Sequence, residues 1–394
     1  MTTPSRPSRL AQRLRELPPY LFARIDELKR EALGKGADLI DLGIGDPDLP
    51  TPRHIVEALQ KAAAEPRHHR YPSYQGMADL RSAAAAYYAS RWGVKLDPAR
   101  EVLVLIGSKE GIAHFPIAFV DPGDLVLVPD PAYPVYAVGT RFCGGRVHPV
   151  PLRRENGFLP DLAAIPADVA RAAKIIWINY PNNPTAATAT VEFYRDLVAW
   201  AREHDVIVAS DNAYADVYFD EASPPPSILS VPGATEVAIE FYSLSKTYNM
   251  TGWRTAFACG NGDLVRGLGQ VKTNVDSGVF EAVQRAAIAA LSGDQSCVAD
   301  MRKIYSERRD VLCGGLARAG FDVLTPEATF YSLVATPPGT TSMEFAARLL
   351  SEAHIVSTPA TGFGACGEGF VRLTLCAPVQ RLAEAVERMA KLSP

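Results

Sequence analysis

Residues 243–254 read Ser-Leu-Ser-Lys-Thr-Tyr-Asn-Met-Thr-Gly-Trp-Arg, and they follow the mostly apolar run of residues 237–242. That run, Val-Ala-Ile-Glu-Phe-Tyr, predicts a buried β-strand. A single lysine, Lys246, stands between two hydroxyl side chains, and Arg254 follows eight residues later. A lysine at a strand end, with an anion-binding cluster nearby, suits an imine to an aldehyde cofactor that carries a phosphate. The alternative is a surface loop rich in Ser and Lys, so the interpretation depends on the rest of the chain.

A second run, residues 206–210, is almost entirely apolar and ends in Asp211-Asn212-Ala213-Tyr214. Such a run predicts a parallel strand that is buried on both faces. Ligands of open α/β sheets bind at the carboxyl ends of strands, which is where these polar residues begin. A carboxylate there can keep the pyridine nitrogen of a cofactor protonated and so make the ring an electron sink. The alternative for Asp211 is a cap of the following turn.

Two further predicted strands lead into loops with polar residues. Residues 174–179 enter the loop Tyr-Pro-Asn-Asn-Pro-Thr-Ala at 180–186, where two prolines restrict the backbone around an asparagine. Residues 102–106 precede Gly-Ser-Lys at 107–109 and a helix-like segment. Gly-Ser at a helix start offers free backbone N–H groups and the positive end of the helix dipole to a phosphate. Neither Gly-x-Gly-x-x-Gly nor a P-loop pattern is present there, so nucleotide binding is not implied.

In order and spacing, these stretches resemble the class I/II aminotransferases, which use pyridoxal 5′-phosphate (PLP). The resemblance spans nearly the whole chain, and it implies that Lys246 holds PLP as a Schiff base while Asp211 faces the pyridine nitrogen. Asn183 and Tyr214 match the two residues that hydrogen-bond the phenolic oxygen of the cofactor. Tyr133, in Pro-Asp-Pro-Ala-Tyr-Pro, matches the aromatic residue that stacks on the pyridine ring. The catalytic residues implied are therefore Lys246, Asp211 and Tyr214.

The resemblance also implies the anion-binding positions. The residues expected to contact the PLP phosphate are Gly107, Ser108, Lys109, Ser243, Ser245, Arg254 and, from the neighbouring subunit, Tyr71. Arg372 matches the residue that binds the substrate α-carboxylate, and a guanidinium forms two parallel hydrogen bonds that a lysine cannot form. Gly45 and Asn183 are further expected substrate contacts. Tyr71 implies a homodimer with composite active sites. Taken singly, each position has a structural alternative, such as a turn tyrosine or an edge-strand arginine.

The order of the predicted elements indicates an α/β fold. Strands and helices alternate from about residue 46 to 260, which predicts a mostly parallel sheet. Residues 264–292 look like one long helix or a pair. Further helices are expected at 303–318, 342–353 and 380–391. The resemblance implies PLP-dependent transferase fold type I. Its lobes would be an N-terminal arm and part of the small lobe at 1–45, a large PLP-binding lobe at 46–290, and a small C-terminal α+β lobe at 291–394.

The composition argues against several classes of function. The chain has 394 residues, of which 47% are hydrophobic, enough for two lobes with full cores. The net charge is −4 without a basic block, so nucleic acid is not an expected partner, and no apolar stretch is long enough to span a membrane. Six cysteines without a Cys-x-x-Cys pair suit a reducing cytoplasm and argue against a metal site. The histidines form no ligand pattern, and His68-His69 is predicted to lie in a solvated turn.

The local sequence resembles, more narrowly, the bacterial LL-diaminopimelate aminotransferases. The similar stretches are residues 17–22, 40–50 and 274–280. Such enzymes convert LL-diaminopimelate and 2-oxoglutarate to tetrahydrodipicolinate and glutamate in lysine and cell-wall biosynthesis. A substrate with a carboxylate at both ends needs a second cation, and Lys109 is the candidate for the distal one. The alternative for Lys109 is a solvated lysine at a helix start. Lys246, once released by the substrate, would carry the proton that transamination moves.

Other functions remain open. Tyr74 and Gln75 stand where some relatives have an acidic residue that faces the distal ammonium, and Ala186 and Ala360 stand where relatives often have Gly. An aminotransferase for alanine, aspartate, methionine or another amino acid is therefore an alternative, and a β-C–S lyase is a further one on the same fold. A non-catalytic regulator is the alternative from another class. Such regulators usually add a DNA-binding helix-turn-helix domain, and the segment before residue 40 is too short for one.

Overall fold

The computed structural model describes residues 9–15, 17, 23–34 and 36–392, and the elements below lie within these ranges. The strands are β1 (Ile40–Asp41), β2 (Val102–Leu105), β3 (Leu125–Asp130), β4 (Arg146–Pro151), β5 (Ala173–Asn179), β6 (Ile207–Asp211), β7 (Ala238–Ser243), β8 (Ala256–Gly260), β9 (Val323–Leu324), β10 (Tyr331–Ala335), β11 (Ile355–Val356), β12 (Thr358–Pro359) and β13 (Phe370–Thr374). Residues 1–8 and 16 of the N-terminal arm, and residues 18–22 of one stretch that suggested the subfamily, lie outside the described residues.

The helices alternate with these strands in the first two thirds of the chain and dominate the rest. They are α1 (Gln12–Arg15), α2 (Ala23–Gly34), α3 (Arg53–Ala63), α4 (Ala78–Trp92), α5 (Ser108–Phe119), α6 (Val135–Phe142), α7 (Ala167–Ala172), α8 (Val191–His204), α9 (Ala234–Val237), α10 (Leu244–Thr247), α11 (Gly262–Val275), α12 (Glu281–Ser292), α13 (Ser296–Arg318), α14 (Ser342–Ala353) and α15 (Val379–Ala390). No helix in the described ranges is long and apolar enough to cross a membrane.

The largest sheet has seven strands in the order β2-β8-β7-β6-β5-β3-β4. Strand β8 runs antiparallel to β2 and β7, and the other six strands of this sheet share one direction. Alternate residues of β5 enter two different cores: Ile176 and Ile178 belong to one, Ile175 and Trp177 to the other. Apolar residues therefore face both sides of the strand, as the continuous apolar run predicts.

The register of this sheet brings the ends of three motifs together. Asn179, the last residue of β5, pairs with Asp211, the last residue of β6. Asp211 in turn pairs with Phe241 of β7, and Ser243 ends that strand two residues later. Because parallel strands end at the same edge of a sheet, polar residues that are far apart in sequence become neighbours. This edge is where the candidate site lies.

Two smaller sheets combine segments from both ends of the described chain. Strand β1 pairs in parallel with β11, and β12-β13-β10-β9 form an antiparallel sheet. Arg381 and Arg388 of α15 both bind the carboxylate of Asp38, just before β1. Helix α14 packs on α2 and α15, and α13 packs on α15. These contacts support the predicted assignment of the N-terminal segment to the small lobe, while the boundaries near 45 and 290 stay a prediction.

Two local expectations need comment. The segment 264–292 is a pair of helices, α11 and α12, rather than one long helix. The prediction of a solvated turn at His68-His69 is wrong for His68, which lies in a 3-10 helix and is only 2% exposed. Its Nδ1 lies 2.8 Å from Oε2 of Glu281, at the start of α12. A carboxylate more than two hundred residues away satisfies the imidazole, and local sequence could not reveal this.

Candidate active site

A cavity of about 590 Å³ lies between the carboxyl edge of the large sheet and the smaller sheets. The predicted site residues that line it are Gly45, Ser108, Lys109, Tyr133, Asn183, Asp211, Tyr214, Ser243, Ser245, Lys246, Arg254 and Arg372. Gly107 lies directly behind the lining, and Tyr71 lies elsewhere on the surface. The fold therefore brings together residues from seven separate stretches of sequence.

Lys246 lies in the one-turn helix α10, directly after β7. Its ammonium group donates a hydrogen bond of 3.0 Å to the carbonyl oxygen of Gly45. Burial lowers the pKa of Lys246, and the positive charges of Arg372 and Arg254 lower it further. A lysine with a lowered pKa is more often a neutral amine, which can attack an aldehyde carbon or accept a proton. The surroundings thus suit a nucleophile and base.

Asp211 ends β6 and is 5% exposed. Its Oδ2 accepts a hydrogen bond of 2.7 Å from the hydroxyl of Tyr136, whereas its Oδ1 is buried without a partner among the described residues. Burial raises the pKa of Asp211 to about 6, against the opposing effect of the Tyr136 hydrogen bond. A buried carboxylate oxygen without a donor is costly, and a protonated ring nitrogen would satisfy it.

Asn179 holds the loop that carries Asn183. Its Nδ2 donates to the carbonyl oxygen of Asp211 at 2.7 Å, and its Oδ1 accepts from the backbone N–H of Asn183 at 2.8 Å. The same loop contains Ala186 with φ +61°, in the left-handed region that favours glycine. Ala186 therefore stands in a conformation that glycine adopts more easily, and the effect of the difference on the loop stays a prediction.

Arg372 lies in the middle of β13 and is 6% exposed. Its Nη1 donates to Oδ1 of Asn183 and its Nη2 to the carbonyl oxygen of Gly43, each at 2.7 Å. The guanidinium carbon lies 4.1 Å from the ring centre of Tyr331 and 4.7 Å from that of Phe363. The buried Nε has no partner within the described part of the chain. A guanidinium held in this way, with unused N–H groups, suits a carboxylate ligand.

The groups expected to bind phosphate lie around the first turn of α5. Gly107 caps this helix with φ +80°, and an added Cβ would lie 2.3 Å from Nη2 of Arg254. Only glycine therefore lets the guanidinium approach the helix start so closely. The hydroxyl oxygen of Ser243 accepts a hydrogen bond of 3.2 Å from the backbone N–H of Ser245, and both serines are buried. Hydroxyl, N–H and guanidinium groups at one end of a cavity suit a phosphate dianion.

Lys109 and Tyr133 line the cavity together, whereas Tyr71 lies outside its lining. The ammonium of Lys109 lies 5.7 Å from the ring centre of Tyr133, and both side chains line the cavity. Tyr71 is 89% exposed and does not line the cavity of its own chain. An aromatic side chain with this exposure is available to a second subunit, which is the role that the resemblance implies.

Sequence analysis did not find two tyrosines of the site. Tyr331 lies 3.0 Å, oxygen to oxygen, from Tyr214, and its hydroxyl would lie 2.0 Å from a Cβ added at Gly45. It belongs to β10, whose sequence is typical of a core strand. Tyr136 binds Asp211, and its spacing of three residues from Tyr133 is the only pattern in the sequence that could have indicated it.

The site as a whole fits PLP. The unpaired Oδ1 of Asp211 suits the pyridine nitrogen, Arg254 and the serines at 243 and 245 suit the phosphate, and Lys246 suits the aldehyde carbon. Tyr133, which lines the same cavity, would supply an aromatic face for the pyridine ring.

Comparisons with known proteins agree with this chemistry. The profile of the family described as "Aminotransferase class I and II" matches residues 37–389. LL-diaminopimelate aminotransferase of Syntrophobacter fumaroxidans is 59% identical over 97% of this chain and 98% of its own length. The enzyme of the same name from Aquifex aeolicus is 57% identical over 97% and 98%. Among solved structures, substrate-bound BacF from Bacillus subtilis superposes with a TM-score of 0.94, at 37% identity over 98% of each chain.

Proposed function

The chain belongs to the class I and II aminotransferase family, and we propose that it transfers the amino group of LL-diaminopimelate to 2-oxoglutarate. Enzymes of this family depend on PLP. The relatives described above carry the name LL-diaminopimelate aminotransferase at 59% and 57% identity, over nearly the whole of both chains. The products of the proposed reaction are tetrahydrodipicolinate and glutamate, in lysine and cell-wall biosynthesis.

One observation carries the aminotransferase chemistry: Lys246, Asp211 and Arg372 converge on one cavity, and each has unused bonding capacity. Lys246 has a lowered pKa, and within the described part of the chain Asp211 Oδ1 and Arg372 Nε have no hydrogen-bond partner. These three groups supply a nucleophilic amine, a partner for a ring nitrogen and a clamp for a carboxylate. An α-amino acid and a pyridine aldehyde need all three.

Each residue has a defined part in transamination. PLP, when bound, supplies the electron sink that stabilises negative charge at the substrate α-carbon. We assign to Lys246 Nζ the removal and return of the proton, because burial lowers its pKa and so favours the neutral amine that can accept a proton. Asp211 keeps the pyridine nitrogen protonated. Asn183 uses its Oδ1 for Arg372, which leaves its Nδ2 and the hydroxyl of Tyr214 to donate to the phenolic oxygen.

The second carboxylate of each substrate needs its own cation. LL-diaminopimelate, glutamate and 2-oxoglutarate all carry a distal carboxylate, and Lys109 lines the same cavity as Arg372. We assign the α-carboxylate to Arg372 and the distal carboxylate to Lys109. Lys109 is exposed in the single chain, so its stem can reach towards a ligand without breaking an ion pair within the described residues.

The exposed Tyr71 supports a homodimer in which this side chain reaches the phosphate site of the partner. Tyr74 and Phe280 are also large, exposed side chains, at 47% and 45% exposure. Exposed aromatic residues of this kind are enriched where proteins associate. We also propose a cytoplasmic location, because all six cysteines are free, which suits a reducing compartment.

A donor screen tests the substrate assignment. The PLP-loaded enzyme is supplied with 2-oxoglutarate and with LL-diaminopimelate, alanine, aspartate or methionine, and glutamate formation is measured for each donor. LL-diaminopimelate should give the highest kcat/KM. Preference for one of the other donors would overturn the substrate while leaving the aminotransferase activity in place.

Two variants test the clamps. Arg372→Ala should lower kcat/KM for every donor by about 30- to 1000-fold, which corresponds to roughly 2–4 kcal/mol for a lost charged hydrogen bond. Lys109→Ala should impair LL-diaminopimelate and aspartate more than alanine. Lys174→Ala is the matched control, because Lys174 is exposed near the opposite end of β5 from the cavity. Equal losses for all donors in Lys109→Ala would remove it from the distal role.

A further inference from the structure

A chain of polar contacts links the substrate clamp to helix α2. The carbonyl oxygen of Gly43 accepts from Nη2 of Arg372 at 2.7 Å and from the hydroxyl of Thr358 at 2.9 Å. The backbone N–H of Gly43 donates to Oδ1 of Asp41 at 3.0 Å. The other oxygen of Asp41 forms an ion pair with Lys29 of α2. One carboxylate therefore joins the N-terminal helix to the residue that holds Arg372.

The local geometry explains why Asp41 controls Gly43. A side-chain oxygen that accepts the N–H two residues later forms an Asx turn, which fixes the direction of the backbone. Leu42, between the two, is held on both sides: its N–H donates to Val356 O, and its carbonyl accepts from Thr374 N, each at 2.9 Å. A Cβ added at Gly43 would lie 3.2 Å from Cγ1 of Val356. The Gly43 carbonyl thus has little freedom while the turn is intact.

We propose that Asp41 is a positioning residue for Arg372, and that Lys29 anchors it from helix α2. The helix thereby sets the affinity of the site for the α-carboxylate that every substrate carries. This inference rests on the proposed function only in that the substrates are α-amino and α-oxo acids. The plane of a guanidinium decides whether two parallel hydrogen bonds to a carboxylate can form.

The simpler alternative is that the ion pair only fastens α2 to the body of the protein. The side chains of Lys29 and Asp41 are 28% and 30% exposed, and ion pairs with such access to water add little to stability. If the ion pair only attached α2, its removal would lower the melting temperature without changing ligand affinity. A positioning role would change affinity for the α-carboxylate, so the two roles have different readouts.

Three variants separate the turn from the ion pair. Asp41→Ala removes both, whereas Asp41→Asn keeps an oxygen that can accept the Gly43 N–H and loses the charge. Lys29→Met removes only the anchor. Asp263→Ala is the matched control, because Asp263 forms an exposed ion pair with Arg266 outside the cavity. Melting temperatures of all four proteins report structural effects separately.

The kinetic measurement is the KM and kcat for 2-oxoglutarate and for each amino donor, with the PLP-loaded enzyme. Asp41→Ala should raise KM for all of them by about tenfold with kcat within about twofold, since the clamp binds ground state and transition state alike. Asp41→Asn and Lys29→Met should each raise KM by about threefold. The Kd of maleate, a dicarboxylate that does not react, should rise by the same factors in calorimetry. Asp263→Ala should match the parent.

Several results would overturn the inference. If KM and the maleate Kd of Asp41→Ala stay within twofold of the parent values, the ion pair only attaches α2 to the body of the protein. A fall in kcat at constant KM, or an effect confined to one substrate, contradicts positioning of a clamp that all substrates share. If Asp41→Ala does not fold, unchanged KM and Kd in the other two variants overturn it. The expected increases in KM for 2-oxoglutarate, relative to the parent, do not depend on which donor the parent prefers. A wrong substrate assignment is therefore recognised separately.

Discussion

Asp211 combines a favourable position for catalysis with an unfavourable one for stability. Its pKa of about 6 lies above the value of 3.8 for a free aspartate, because burial disfavours the charged form. A carboxyl group with a raised native pKa destabilises the folded state above its unfolded pKa, and the loss is complete above its native pKa. In the protein without PLP, the destabilisation of the folded state by Asp211 is therefore largest at neutral pH. Bound PLP would relieve this, because a protonated ring nitrogen could donate to the Oδ1 atom that has no partner among the described residues.

We therefore expect Asp211→Asn to raise the free energy of unfolding of the PLP-free protein at pH 7 by roughly 1–3 kcal/mol. The gain should fade as the pH falls from 6 to 4, because both forms of the site are then neutral. Urea unfolding at pH 7 and pH 4 measures it, with Asp263→Asn as the exposed control. An equal gain at both pH values would contradict the assignment. The loaded variant should lose activity by orders of magnitude.

Lys246 should be the attachment point of the cofactor. Reduction of the loaded parent with borohydride should fix PLP to the chain and increase its mass by one cofactor. Lys246→Ala should show no such increase and no transamination. Lys29 and Lys109 also line the cavity, but Lys29 is ion-paired with Asp41 and the Lys109 ammonium lies over the ring of Tyr133. Lys174→Ala serves as the control. Retention of the covalent adduct in Lys246→Ala would refute the role.

The residues with chemically distinctive roles were predictable from sequence, and those that act through neighbours were not. Lys246, Asp211 and Arg372 stand in patterns that only a few functions require. Tyr331 acts by its hydroxyl contact with Tyr214, and nothing in the sequence of β10 distinguishes it from a core tyrosine. Such a role depends on tertiary distance alone.

At the scale of elements, the loop from β5 to α8 carries an alanine in a conformation that suits glycine. Ala186 has φ +61°, and a left-handed conformation costs a residue with a Cβ about 1–2 kcal/mol. Glycine avoids this cost but loses more backbone entropy on folding. The loop is held by Asn179 and Asn182, which accept or donate several hydrogen bonds around it. The rest of the loop therefore maintains the strain.

Ala186→Gly should consequently raise the free energy of unfolding by about 0.5–1 kcal/mol and leave kcat within about twofold. The neighbouring change Ala187→Gly is the control, because Ala187 does not have a positive φ, and it should lower stability. Thermal unfolding of both proteins provides the comparison. Two equal losses of stability would show that the backbone at 186 is not strained.

The strands of the large sheet were predictable as elements because their apolar runs are long and end in polar motifs. The runs that end at Asn179, Asp211 and Ser243 all form strands, and parallel pairing sets their ends side by side. The contact between α2 and β1 was not predictable. It includes an ion pair, Lys29 with Asp41, and no motif or spacing in either segment indicates that these two side chains meet.

For the whole molecule, the proposed dimer makes a strong prediction about mixed subunits. Tyr71→Ala and Lys246→Ala should each be impaired, the first through the phosphate contact and the second through the chemistry. In a hybrid dimer, one site would combine the intact Lys246 of one subunit with the intact Tyr71 of the other. Co-refolding the two variants should therefore restore up to about a quarter of the parent activity, since half of the dimers are hybrids with one good site.

In the control mixture, Glu57→Ala replaces Tyr71→Ala, because Glu57 is exposed on α3. Unlike Tyr71→Ala, the Glu57→Ala protein should already be active before it is mixed with Lys246→Ala. Light scattering should give a dimer for every protein. Absence of any gain on mixing Tyr71→Ala with Lys246→Ala would place Tyr71 in its own subunit or outside the site.

The α/β class was predictable at this scale, whereas the way the two chain ends meet was known only through the resemblance. No periodicity in the sequence indicates that Ile40 pairs with Ile355. Pairing across this separation depends on side chains that both ends contribute to one core, and sequence patterns report only nearby residues.

That pairing has a consequence for how the protein is made on the ribosome. The seven strands of the large sheet all lie between residues 102 and 260, so this sheet can form while the chain is still being synthesised. Strand β1 and Asp38 emerge early, but their partners β11, Arg381 and Arg388 emerge among the last residues. Ile40 and Leu42, which are buried in the folded protein, therefore stay uncovered until translation is nearly finished. Chaperones that shield nascent chains would find their binding sites there.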